Sequence, residues 1–268
     1  MRGREQLAPP HAFAKGRDRM SLQSLIQLSN ALGAPARQYV IIGEGNTSLR
    51  KDDETFWIKA SGQMLETIGE SGFVEMRFGP VLEVLTRQLS GTAMEEAVNA
   101  ARVDPASSLR PSIEVTFHAV LLHEFGAQCI AHTHPVPVNQ IMCSNRAAEF
   151  ASHRIFPDEV VLCGPRSAFV PYLDPGVPLA LGIQRAAADH ADQWGEPPKV
   201  ILLQNHGLIA LGKNPTDALR ITEMAVKAAA IFMGACAVGT PVFLSDADIA
   251  HVYRRPDEIY RRKQFEVR

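Results

Sequence analysis

Several features are missing from this sequence, and each absence narrows the function. There is no cationic excess: 27 basic and 29 acidic side chains leave a formal net charge of -2 over 268 residues. A nucleic-acid binder, which must neutralise phosphates, is therefore not indicated. The longest apolar stretches, such as VILLQ and AAAIFMGACAVG, fall short of the roughly 20 residues of a membrane span. Cysteine is scarce. Cys129, Cys143, Cys163 and Cys236 are far apart and form no CxxC, which argues against a disulfide framework and for reduced thiols in a cytoplasmic protein. Neither GxGxxG nor GxxxxGK[ST] occurs, so dinucleotide-fold and P-loop readings lack support. Internal repeats, low-complexity tracts and an evident linker are also missing.

What is present reads as alternating strands and helices around glycine-rich turns. Leu22, Leu25, Ile26, Leu28 and Leu32 recur at helical spacing behind a capping Ser21. QYVIIGEGN predicts a short buried strand broken at Gly43 and Gly45, and TFWIKASG a second, with RKDDE as the turn between them. GFVEMRFGPVLEVLTRQL holds a further strand and a helix. RPSIEVTFHAVLLHEFGA places Pro111 and Ser112 before a helical pattern that stops at Gly126. The strand AQCIAH follows, then a helix from about Pro137 to Cys143. DEVVLCG and KVILLQNHGLIALG predict buried strands, and residues 215–239 a long Ala-rich helix. The pattern implies one α/β domain with a central sheet. Residues 1–19, basic and without the apolar core of a signal peptide, read as a flexible arm; residues 20–245 form the domain and 246–268 a charged tail.

The chemistry-bearing residues gather at strand ends. His132 and His134, in CIAHTHPVPVNQI, sit two apart, so a continuing strand points both imidazoles to one face. Alone, such a pair is either a metal site or an ordinary polar strand end. His206 ends another apolar run against a glycine, in LLQNHGL, and Glu114 lies on the helix before the His132 strand. Three histidines and one carboxylate make a competent set for Zn²⁺ or a similar divalent ion. His118, four residues after Glu114, and His123 read as helix-packing or supporting residues. His11, His153, His190 and His251 stand in polar surroundings that predict the surface. Three turns, GEGNTS, KASG and RPSIE, offer backbone N–H groups and hydroxyls to an anion.

Taken in order, GEGNTS, KASG, PSIE, HTHP and QNHG resemble the class II aldolase/adducin family, of the fuculose-phosphate aldolase type, from about Leu25 to Gly239. The resemblance implies a three-layer α/β/α sandwich with a largely antiparallel central sheet, assembled as a homotetramer with active sites between subunits. It makes His132, His134, His206 and Glu114 the ligands of one divalent metal per subunit, Zn²⁺ first and Mn²⁺ or Co²⁺ as alternatives. Glu114 is also the catalytic base. Asn46, Ser61, Gly62 and Ser112 fall where sugar-phosphate members hold phosphate. Two departures stand out. Ile113 occupies a position where similar aldolases often have a second serine, which favours a smaller anion or a carboxylate. The general-acid tyrosine, which comes from a neighbouring subunit in such enzymes, has Tyr253 and Tyr260 as candidates, while Tyr172 reads as part of a structural loop.

The implied activity is a metal-dependent carbon–carbon lyase of carbohydrate metabolism. It would cleave a hydroxy-ketone, expected to be a sugar phosphate, through an enediolate whose charge the metal stabilises. Glutamate at position 114, where the related ribulose-phosphate epimerases carry aspartate, favours an aldolase or decarboxylase over an epimerase. A decarboxylase of a hydroxy or keto acid and a ketose-phosphate dehydratase are the rival enzymes. A non-catalytic adducin-like assembly domain is the rival of another class, and the retained ligand set speaks against it.

Overall fold

A computed structural model describes residues 20–267; the expected N-terminal arm, with His11, lies outside these residues. The chain begins with α1 (Leu22–Gly33), capped by Ser21, whose side chain accepts from the Ser24 amide. It continues through β1 (Asn46–Arg50), β2 (Thr55–Lys59), β3 (Phe73–Arg77), α2 (Phe78–Thr86), α3 (Gly91–Ala100), α4 (Val115–His123) and β4 (Cys129–Thr133). Next come α5 (Val136–Met142), α6 (Ala147–Ser152), α7 (Pro157–Cys163), β5 (Ala168–Val170) and α8 (Val177–Trp194). The last elements are β6 (Val200–Leu203), β7 (Gly207–Gly212), α9 (Pro215–Val238), α10 (Asp246–Arg254) and α11 (Pro256–Val267).

The seven strands form one sheet in the order β3-β2-β1-β4-β7-β6-β5. Every pairing is antiparallel except β5 with β6. Alternation along each strand divides the core into two layers. Leu49, Cys129, Ala131, Leu202, Leu208 and Ala210 meet α1, α5 and α9 on one face. Phe56, Ile58, Ile130, Ile201, Ile209 and Leu211 meet α2, α4 and α8 on the other. This is the α/β/α sandwich expected of the sequence. Each fully buried Leu or Ile contributes about 1.5–3 kcal/mol of transfer free energy, so the paired layers hold the sheet rigid where the site is built.

Helix α9 amends the expectation that no segment suits a membrane. By length and hydropathy it would pass for a span. However, Ala218, Ile221, Ala228, Ala229 and Phe232 are buried in the layer it shares with α1 and α5, so it is a core helix.

Other expectations fail for identifiable reasons. The segment before Asn46 is an irregular loop and not a strand: Ile41 and Ile42 are 63% and 80% exposed, and Ile42 takes a φ of 55°. The strand begins at Asn46, where this segment was expected to end. DEVVLCG is helix α7 and not a strand, because Pro157 at its start and Asp158 and Glu159 in its first turn suit a helix N-terminus. The charged tail, whose secondary structure the sequence left open, carries two helices, with α10 held to α7 by Ile249 and Val252 packing on Val160 and Val161. His190 is buried and not at the surface; its Nδ1 bonds the Glu196 carbonyl at 2.9 Å. His153 is half-buried, stacked on Phe243, and His251 is exposed.

Strands β4 and β7 close so tightly at one end that only glycine fits at Gly207: a Cβ there would lie 2.5 Å from the Thr133 carbonyl oxygen and 2.7 Å from the His134 ring. Gly207→Ala is expected to cost about 1–3 kcal/mol through forced strand separation, lowering the melting temperature by roughly 5 °C. An unchanged melting curve would show that the strand ends yield without strain.

Candidate metal centre

The site forms where β4 lies between β1 and β7. Asn46 pairs with His132 and Ser48 with Ile130, so Asn46, Ser48 and His132 share the face that α4 covers. The intervening Thr47 points to the opposite face, where its hydroxyl meets Ser29 at 2.7 Å. The strand stops at Thr133. His134 is therefore the first residue past the strand, not within it as its spacing suggested, and its amide donates to the Tyr39 carbonyl at 2.8 Å. His206 sits in the tight turn between β6 and β7, where Asn205 takes a left-handed φ of 56°. Glu114 is the capping residue of α4, not part of its regular helix.

These origins bring three rings together. Ligand nitrogens of His132, His134 and His206 all lie within 4.8 Å of one another. Glu114 completes the set: its Oε2 is 3.4 Å from His132 Nε2 and its Oε1 is 3.4 Å from His206 Nε2. The tautomer of His132 is fixed. Its Nδ1 lies 2.9 Å from the Leu208 carbonyl, which only accepts, so the proton is on Nδ1 and the Nε2 lone pair faces His134 Nε2 at 3.1 Å. Burial pushes His132 down to about 3, and burial together with the neighbouring His132 does the same to His134. Neutral imidazoles converging with a carboxylate fit a divalent cation well, as each offers a lone pair and the acid supplies negative charge.

A polar chain stands behind Glu114. Asn46 Nδ2 donates to Glu114 Oε2 at 2.7 Å and to Ser112 Oγ at 3.1 Å. The Asn46 carbonyl oxygen accepts from His118 Nε2, and His118 Nδ1 lies 2.7 Å from the Ser48 hydroxyl. His118 is fully buried, and desolvation pushes it down to about 3.

The other expected residues lie around this core. Ser112 is buried, and its hydroxyl also accepts from the Glu114 amide at 3.3 Å. Ser61 and Gly62 are exposed, and Ser61 reaches the same wall through its amide, which donates to the Arg110 carbonyl at 2.8 Å. A cavity of about 170 Å³ runs beside them, lined among others by Ser61, Ser112, Arg110, Ile113, Met94 and Val98. The tyrosine candidates are elsewhere in this chain. Tyr253 bonds Glu196 and lines a cleft with Arg166 and Trp194; Tyr260 is exposed on α11. Tyr172 is exposed and donates to Asp174 at 3.1 Å.

Two residues escaped the sequence reading. Lys59 is only 2% exposed, with Nζ donating to the Gly43 carbonyl at 3.1 Å. Burial lowers its ammonium below the ordinary value, and the Glu114 carboxylate opposes that shift. A lysine inside the apolar run TFWIKASG was the available signal. Glu44 Oε2 is 3.8 Å from His134 Nδ1; only the fold brings its loop there.

This chain belongs to the class II aldolase and adducin N-terminal domain family, whose model matches residues 23–233. An uncharacterized oxidoreductase, YuxG, of Bacillus subtilis is 27% identical over 203 residues, covering 72% of this chain but 26% of the relative, so the chain spans about a quarter of that protein. Methylthioribulose-1-phosphate dehydratase of Bacillus subtilis is 24% identical over 186 residues, covering 67% of this chain and 77% of the enzyme. A solved L-fuculose 1-phosphate aldolase superposes with a TM-score of 0.65 at 21% identity, over 89% of this chain and 98% of the other.

Protein purified without chelator is expected to carry about one divalent ion per chain by elemental analysis, and His206→Ala to lose most of it; metal-free preparations throughout would exclude a metal centre. A second expectation concerns the chelated protein. Folded His118, His132 and His134 stay neutral down to about pH 3, whereas unfolded imidazoles take up protons near pH 6.5. Stability is thus complete above about pH 6.5 and falls as pH drops towards 3. Calorimetry in buffers of differing ionisation enthalpy should find protons taken up on unfolding at pH 5.5; none taken up there would contradict the buried neutral rings.

Proposed function

We propose that this chain is a metal-dependent lyase acting on a ketose phosphate, and that its reaction is aldol cleavage beside the substrate carbonyl. The observation that carries the reading is the Glu114 carboxylate, bridging His132 and His206 at 3.4 Å each while Asn46 holds it from behind. His132, His134 and His206 would hold the ion, Zn²⁺ before Mn²⁺ or Co²⁺, with Glu114 as a displaceable fourth ligand. When bound, the ion draws electron density from the substrate's carbonyl and hydroxyl oxygens and lowers the cost of the developing charge.

In cleavage, the electron pair of the broken carbon–carbon bond passes to the carbon beside the carbonyl, and Glu114 delivers a proton there; in synthesis Glu114 removes it. The alcohol of the departing half loses its proton and becomes an aldehyde. Ser112 and Asn46, with Ser61 and Gly62 at the rim, would hold the far anionic end and so orient the reacting carbon. The named relatives support a ketose 1-phosphate as the class, since fuculose 1-phosphate and methylthioribulose 1-phosphate both belong to it.

A second copy of the chain is the proposed source of the general acid, Tyr253 or Tyr260. Ile41, Ile42, Ile113 and Val136 are all about half exposed or more, and each lies within three residues of Glu44, Glu114 or His134. An apolar rim of this kind around a polar site suits contact with another protomer in a homotetramer. The four free thiols suit the cytoplasm.

Dehydration is the second reading, favoured because three curated dehydratases match at 23–26% identity. It uses the same proton removal but expels a hydroxyl. A screen of L-fuculose 1-phosphate, methylthioribulose 1-phosphate and a β-keto acid against the zinc-loaded protein separates the readings by aldehyde, dehydrated ketone or CO₂. Aldehyde release is expected; exclusive CO₂ release would replace the proposal with the decarboxylase. Glu114→Gln should keep fold and metal while lowering kcat at least ~10³-fold, and near-wild-type turnover would remove Glu114 as the base.

A further inference from the structure

We propose that His118 is a positioning residue that locks the amide of Asn46, so that the site is lined by hydrogen-bond donors and not by an acceptor. The inference rests on the ketose-phosphate reading for its consequence in turnover, but its geometry stands independently. An asparagine amide can flip, and its two ends are chemically opposite. If the carbonyl oxygen of Asn46 faced inward, it would repel the Glu114 carboxylate and any anionic group of a ligand. On the site side the Glu114 carboxylate, which only accepts, holds the amide while it stays in place; once it is displaced no restraint remains there, because the Ser112 hydroxyl can serve as donor or acceptor.

The restraint lies behind Asn46. Its oxygen meets His118 Nε2, and His118 Nδ1 lies 2.7 Å from the Ser48 hydroxyl. Asn46, Ser48 and His118 are all buried, at 4%, 0% and 0% exposure, so no water competes for these bonds. Strand pairing fixes the first two: Asn46 opposite His132 and Ser48 opposite Ile130 place both under α4. Phe117 stacks against the His118 ring, with centroids 4.6 Å apart, and holds its plane. With Nδ2 on the Glu114 carboxylate, the Asn46 oxygen faces Nε2, so the His118 proton sits on Nε2 and Nδ1 accepts from the Ser48 hydroxyl; in that tautomer Nε2–H can bond only the oxygen end of Asn46. Both Nδ2 hydrogens then point into the site, at Glu114 Oε2 (2.7 Å) and Ser112 Oγ (3.1 Å). As Glu114 moves to the substrate, the hydrogen it releases is left facing the ligand's anionic oxygen.

Three variants test this. His118→Leu removes the lock, His118→Gln keeps a donor towards Asn46 and an acceptor towards Ser48, and Ser48→Ala releases the tautomer. Each is loaded with zinc and checked for metal content and melting temperature. Binding of inorganic phosphate is then measured by calorimetry, and kcat and KM on any ketose phosphate that the wild type turns over.

The lock predicts phosphate binding weakened about tenfold and kcat lowered by roughly tenfold to a hundredfold in His118→Leu, for one lost charge-assisted bond. His118→Gln should stay within about threefold of wild type, and Ser48→Ala should fall between. A folded, zinc-loaded His118→Leu with wild-type phosphate affinity would overturn the lock, as would a glutamine variant no better than leucine or a wild type that binds no phosphate at millimolar concentration. If His118→Leu does not fold, the order of wild type, glutamine and Ser48→Ala decides. A wild type inactive on every ketose phosphate, with phosphate affinities still in the expected order, refutes the substrate reading and leaves the lock intact.

Discussion

The register of β4 between β1 and β7 is the constraint on which the site depends. It sets His132 opposite Asn46 on one side and Ile209 on the other. It also puts the Leu208 carbonyl within reach of His132 Nδ1. A slip of one residue would turn His132 into the layer of Cys129 and Ala131, and present Ala131 or Thr133 to Glu114. The two apolar layers prevent that slip, because it would bury the imidazole against α9 and α5 with no partner. Packing of ordinary residues such as Ile130 and Ile209 thereby specifies the tautomer of a histidine neither layer contains.

Much of this arrangement was legible in the sequence. The strands containing Trp57, Ile130 and Ile201 announced themselves as apolar runs between turns, with His132, His134 and His206 at strand ends and Glu114 at the start of the helix before the His132 strand. The illegible parts have physical causes. QYVII has strand composition, but its backbone turns at Ile42 and its side chains stay in solvent, so composition misled. DEVVLCG carries a β-branched pair that period alone cannot separate from a helix, and the deciding helix-start signal, Pro157, lies just outside that run. His118 was legible as a supporting residue but not as a partner of Asn46, since the two are 72 positions apart and meet only through sheet pairing.

The surroundings of Glu114 and of Ser112 are joined through Asn46, whose Nδ2 donates one hydrogen to each. Ser112 also lines the cavity walled by Ser61, Arg110 and Ile113, so that cavity opens directly beside the Asn46 amide. Ile113 adds an apolar side chain, 64% exposed, to that wall.

Ile42 has a further consequence. A β-branched residue at a φ of 55°, 80% exposed, is unfavourable twice, once in its backbone and once in its contact with water. Both penalties fall on the loop that positions Glu44 beside His134. Contact with a second protomer would relieve the second penalty and restrain the first, so the order of that loop becomes subject to mass action. If a second protomer covers Ile42, dilution would loosen the loop that carries Glu44 while leaving every residue beside His134 in the same chain.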